Sequence, residues 1–198
     1  GSPDLLNWPY RLMLNTLSPD GQFVFGWTIE GVPQPDWAQW EEKQYEYLEA
    51  FGDARFRVHL VSLATGASLG EVNCEFDPGG RPYFWATWSE DSAHVITGAD
   101  HRWATISSGL YQVSPDGISL LTDLAPALSK MAWEVLRDSD HPYAIDTTEA
   151  DGFIEVRTID SGGLLELGYA IESKFEGPRW NAYLELYVEV DFNSGEMN

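Results

Sequence analysis

Residues 181–192, NAYLELYVEVDF, alternate without a break. Leu184, Leu186, Val188, Val190 and Phe192 fall on one side; Tyr183, Glu185, Tyr187, Glu189 and Asp191 fall on the other. A period of two is the period of a β-strand. A strand with one apolar and one polar face belongs in an antiparallel sheet that is packed on one side and open to water on the other. GFIEVRTI from Gly152 and LLELGYAIES from Leu164 precede it, separated by DSGG and FEGPRW. The tail is therefore predicted to be a three-stranded meander.

The same style of writing fills the N-terminal part. QFVFGWTIE (22–30) reads as a strand. RFRVHLVSL (55–63) sets Phe56, Val58 and Leu60 against Arg57 and His59. LGEVNCEF, YFWATWS, AHVITG, WATISSGLYQV and ISLLTDL follow, divided by turn residues. Two stretches carry helical spacing instead. In 36–51, Asp36 can N-cap with Gln39 three residues on, Trp37, Trp40, Tyr47, Leu48 and Phe51 share a face, and Gly52 ends the run. In 124–138, after Asp123 as N-cap, Leu128, Met131, Ala132, Val135 and Leu136 form an i, i+3, i+4, i+7, i+8 stripe, and Pro142 bars continuation. The expected fold is α+β, mainly antiparallel sheet of about ten strands with two helices near 36–51 and 124–138. One domain, 1–198, is expected. If it subdivides, the parts are a β-meander with an inserted helix (1–123) and a helix plus three-stranded meander (124–198).

One phrase recurs. Ser18-Pro19-Asp20-Gly21, Trp88-Ser89-Glu90-Asp91-Ser92 and Ser114-Pro115-Asp116-Gly117 each lead into an apolar run, and Ser62-Leu63-Ala64-Thr65-Gly66 follows one. These phrases, across residues 17–123, resemble the blades of β-propellers of the WD40 and TolB-like kind, which implies a propeller-like scaffold. The spacing argues for a simpler reading. The three serines are unevenly placed, whereas blades recur at roughly 40–45 residues. Pro followed by Asp-Gly is also a favoured tight turn in its own right.

Charge narrows the function. Thirty-two acidic residues against eleven Lys and Arg give a formal net charge of −21. Phosphate backbones need basic contacts, so direct nucleic-acid binding is not expected, nor is an anionic membrane surface. A field of this sign keeps a protein soluble and steers basic partners. No stretch approaches the 18 apolar residues of a membrane span. No signal peptide is visible, and Gly1-Ser2 reads as a cloning remnant in front of which a cleaved signal is the alternative to the expected cytoplasmic location. The single cysteine, Cys74, excludes an internal disulfide.

Motifs for chemistry are missing. His59, His94, His101 and His141 have no i, i+4 partner among themselves and there is no second Cys, so no metal site or other cofactor is expected. The serines of TISSGLYQ have no base placed beside them in sequence, and there is no G-x-S-x-G elbow, phosphate loop or dinucleotide fingerprint. Two candidate partner-binding surfaces remain: Trp37, Trp40, Glu41, Glu42, Tyr45, Glu46 and Glu49 in the first helical stretch, and Tyr183, Glu185, Tyr187, Glu189 and Asp191 on the wet side of the last strand. The expected function is a non-enzymatic module binding a basic protein, an inhibitor sharing only size, charge and missing catalytic motifs with bacterial immunity proteins. The alternatives are a carbohydrate-active hydrolase with a carboxylate pair and Trp platforms, and the propeller-like scaffold.

Overall fold

The computed structural model describes residues 8–32, 35–40, 42, 46, 49, 55–78, 83–100, 104–138, 150–173 and 181–198. They form three antiparallel sheets. Sheet A orders β1 (Arg11–Met13), β2 (Phe23–Ile29), β3 (Phe56–Ser62) and β4 (Ser68–Val72) as consecutive neighbours. Sheet B does the same with β5 (Tyr83–Trp88), β6 (His94–Asp100), β7 (Thr105–Ser114) and β8 (Gly117–Asp123). Helix α1 (Leu124–Asp138) leads to sheet C, in which β10 (Leu164–Ser173) lies between β9 (Ala150–Ile159) and β11 (Asn181–Glu189).

Sheet B is the shared middle wall, because side chains alternate across it. Phe84, Val95, Tyr111 and Val113 join a core with Phe23, Phe25, Trp27 and Leu60 of sheet A. Ile96 and Leu110 join a second core with Leu124, Leu128 and Ala132 of α1 and with Ile154, Leu165, Leu167 and Val188 of sheet C. The α1 stripe seats Leu128 and Ala132 at 0% exposure but leaves Val135 at 48%.

The architecture corrects the expected class. It is mainly β, with three sheets and eleven strands among the described residues, rather than α+β with two helices. Among the described residues α1 is the one continuous α-helix. At 36–51 a 3₁₀ turn, Trp37–Gln39, is followed by helical positions at Trp40, Glu42, Glu46 and Glu49, and the rest of that stretch lies outside the described residues. Helical periodicity there coexists with aromatic rings that the β core takes up. Trp27 of β2 sits within 4.9 Å of both Trp37 and Trp40, edge-on, and 5.6 Å from Phe56. The three-residue β1 is too short to show a period.

The repeated phrase has a structural meaning in two of its three places. Ser18 bonds Asp20 (2.6 Å) and accepts the N–H of Phe23 (2.9 Å), while its own N–H meets the Phe23 carbonyl at 2.9 Å. Ser89 repeats this with Asp91 (2.6 Å) and His94 (2.9 Å), and its N–H meets the His94 carbonyl at 2.9 Å. Gly21 and Ser92 occupy the same left-handed position, at φ 70° and 59°. Each turn joins the first two strands of its sheet, and the two touch, the Asp20 N–H reaching the Ser92 hydroxyl at 3.2 Å. The phrase at Ser114 is different: an exposed turn between β7 and β8 in which Ser114 pairs with Gly117. Sheets A and B are thus two four-stranded meanders opened by one turn design. The described residues show no propeller.

Candidate protein-binding face

Sheet C buries one side and opens the other. On β11, Leu186, Val188 and the following Val190 are buried, while Tyr183, Glu185, Tyr187 and Glu189 are exposed. The pairing of β11 with β10 sets Glu185 opposite Gly168 and Tyr187 opposite Glu166. On β9 the register with β10 shifts between Glu166 and Leu167, so that Val156 and Thr158 have partners and Arg157 is the extra residue of a bulge. This cation stands beside Glu155 on a face whose other charged residues, among those described, are acidic.

Arg157 is the hub. Its guanidinium meets Glu166 at 3.3 Å, Glu185 at 3.2 Å and the Tyr183 hydroxyl at 2.8 Å, and stands 5.8 Å from the Tyr183 ring centre. Tyr183 in turn donates to Glu155 at 2.8 Å. The ring therefore reaches across β10 from β11 to β9, and it can do so because residue 168 is glycine: a Cβ there would overlap the Tyr183 hydroxyl. The hydrogen bonds that Arg157 donates to Tyr183, Glu166 and Glu185 raise its pKa still further. The bond to Glu155 pushes the Tyr183 phenol up. The result is a half-exposed tyrosine held against the sheet, a second at Tyr187 with 64% exposure, and Glu155, Glu166, Glu185 and Glu189 around them.

The other predicted residues are placed differently. Trp37 (6%) and Trp40 (3%) are buried in the aromatic core and present no surface. Indole size and spacing could not separate these two outcomes in the sequence. Glu42, Glu46 and Glu49 are exposed, and Glu41 and Tyr45 lie outside the described residues. Asp191 is exposed just past β11 and builds the next turn, accepting the Asn193 N–H at 2.8 Å, which lowers its pKa together with Ser194 and the Asn193 amide. Sequence reading missed Glu155, Arg157, Glu166 and Gly168. The alternation of GFIEVRTI already set Glu155 and Arg157 opposite Ile154 and Val156, but register and bulge are needed to bring them beside Tyr183.

The outer face of sheet A has a parallel arrangement. Arg57 is held by Glu71 at 2.9 Å and Glu30 at 3.2 Å. Beside it, His59 tilts on Tyr10 at 5.2 Å and its Nδ1 lies 3.1 Å from Ser68 Oγ. Desolvation lowers the His59 pKa, with Glu71 opposing and Arg57 assisting. The Ser68 hydroxyl also accepts the Gly70 N–H at 3.1 Å, so it serves the β4 backbone. In TISSGLYQ, Ser107 accepts the Glu75 N–H at 3.2 Å and Ser108 Oγ is buried without a partner. Burial pushes the Cys74 thiol up to about 12, keeping it protonated. His101 and His141 lie outside the described residues. Among the described residues no group of three His, Cys, Asp or Glu could hold a metal ion, and no helix is long and apolar enough to cross a membrane.

No family model matches the chain, and neither a curated protein nor a solved structure matches it.

Proposed function

We propose that this chain is a non-enzymatic protein-binding module that docks a basic partner on the open face of sheet C. The sharpest form of the reading is an inhibitor of immunity-protein type that neutralises a basic toxin or nuclease. The observation that carries it is Tyr183, fixed against the sheet over Gly168 by Glu155 and Arg157 and ringed by carboxylates. A preset aromatic loses little rotamer freedom on binding, so it suits an interface anchor. Among the described residues of this patch the one cation, Arg157, is already engaged by Glu166 and Glu185, and carboxylates surround it in a chain of net charge −21. Lysines and arginines of a partner complement such a face and are steered to it. The burial of Trp37 and Trp40 removes them as sugar platforms and weighs against the hydrolase reading.

The test compares the wild-type chain with a Tyr183→Ala/Tyr187→Ala variant as immobilised baits in extract of the native cells. Wild type is expected to retain a basic protein that salt releases, and the variant to retain far less of it, since truncating an interface anchor costs about 2 kcal/mol or more. Equal retention by both baits, or no basic protein on either, refutes the reading.

A further inference from the structure

Beyond β11 the chain turns at Asp191 and folds back along the strand. Glu189 and Asn198 exchange backbone hydrogen bonds at 3.1 and 2.9 Å, the Asp191 N–H meets the Glu196 carbonyl at 2.9 Å, and Val190 bridges to Met197. Phe192 and Met197 of this segment pack on the core that holds Ile96 and Leu110 of sheet B, and two specific contacts add to this. Thr122 of β8 donates to the Gly195 carbonyl at 2.6 Å. Phe192 stacks on His94, the first residue of β6, with ring centres 3.6 Å apart and planes within 11°.

His94 is an unusual residue to build into a latch. It is 7% exposed, and neither Nδ1 nor Nε2 has a hydrogen-bond partner. Among the described residues no neighbouring group bonds either nitrogen. Asp91, in its own turn, takes Ser89 and the Ala93 N–H on Oδ1. Gln112 of β7 is its uncharged cross-strand neighbour. In the folded-back segment, Asp191 caps the Asn193 N–H, and Glu196 is exposed. A neutral imidazole fits this apolar slot against Phe192. An imidazolium would bring two N–H donors and a charge into it with no described residue bonding them, and a face-on aromatic ring replaces only part of the lost hydration.

We propose that Asp191–Asn198 is a clasp on the edge of β11 that closes on neutral His94 and opens when His94 is protonated. Burial holds the imidazole below its ordinary pKa, with Asp91 acting weakly the other way. The sign follows. The open form binds a proton at an ordinary histidine pKa of about 6.5, and the closed form resists it. Opening therefore grows by up to about tenfold per pH unit below that value. Above it the clasp stays shut.

Backbone-amide exchange of the whole chain, followed by NMR and corrected for intrinsic rates, tests this without any partner. Between about pH 7.5 and 5.5, protection of the Glu189 and Asn198 amides is expected to fall by up to about tenfold while Leu110 in β7 keeps its own. The His94→Phe variant retains a stacked ring without a titrating proton and should show no such fall. The same fall in His94→Phe, a flat response in wild type, or parallel loss at Leu110 overturns the proposal. Titration of the His94 ring nitrogens in wild type decides independently should the variant not fold. A midpoint below the ordinary histidine range that tracks the loss of protection supports the clasp, and one at or above that range refutes it.

Discussion

Replacing Ser18 by alanine deletes one oxygen and strands a backbone donor. Ser18 is 2% exposed, and its hydroxyl is the acceptor for the Phe23 N–H at 2.9 Å. Leaving a buried N–H without a partner costs about 1–3 kcal/mol. The lost bond to Asp20, which is close to solvent, adds little. We therefore expect Ser18→Ala to lower stability by about 2 kcal/mol. Ser89→Ala should cost the same, because Ser89 is 0% exposed and holds the His94 N–H at 2.9 Å. Ser114→Ala should cost under about 0.5 kcal/mol, because that serine is exposed and its contacts are long, 3.3 Å from Asp116 and 3.4 Å to Gly117. Urea unfolding at neutral pH reads all three. Equal losses at Ser18 and Ser114, or a loss below about 0.5 kcal/mol at both Ser18 and Ser89, would refute the assignment of a shared turn design to two of the three phrases.

Other outcomes follow from the same geometry. The carboxylates of these turns are held below the ordinary range, Asp91 by Ser89 and the Ala93 N–H, and Asp20 by Ser18, the Gln22 N–H and Ser92, which outweigh its desolvation. A depressed carboxylate pKa stabilises the fold above the unfolded value of about 3.9 and loses that contribution as pH falls through the folded one. Acid unfolding of Asp20→Asn and Asp91→Asn should accordingly be less steep than that of wild type below about pH 4. Gly168→Ala should displace the Tyr183 ring and break its bonds to Glu155 and Arg157. Spectrophotometric titration is then expected to show the Tyr183 phenol falling back toward its ordinary pKa, with no change if the ring does not cross Gly168. Leu128→Ala, at a fully buried site between α1 and sheets B and C, should cost about 2–5 kcal/mol in the same urea assay.

What could be read ahead of the structure was what repeats locally. The alternation of Leu184 to Val190 against Tyr183 to Glu189 set the wet and dry sides of β11, and the stripe through Leu128 and Ala132 set the buried side of α1. Phase can be read from period; partnership cannot. Trp37 and Trp40 carry helix-face spacing and also the bulk that Trp27 needs around it, and only the packing of β2 decides for the core. Asp191 continues the alternation by one residue, yet its side chain caps a turn. Arg157 shows the limit most clearly. At a one-residue bulge it stands among Glu166, Glu185 and Tyr183, residues 9 to 28 positions away, and nothing in GFIEVRTI announces a bulge.

The central claim concerns which acidic surface meets the partner. Zero-length coupling of carboxylates to lysines in extract of the native cells, mapped by mass spectrometry, addresses it directly. The face of sheet C predicts cross-links from Glu155, Glu166, Glu185 or Glu189 to a basic protein. Cross-links confined to Glu42, Glu46 and Glu49, or to Glu30 and Glu71 on sheet A, would contradict it.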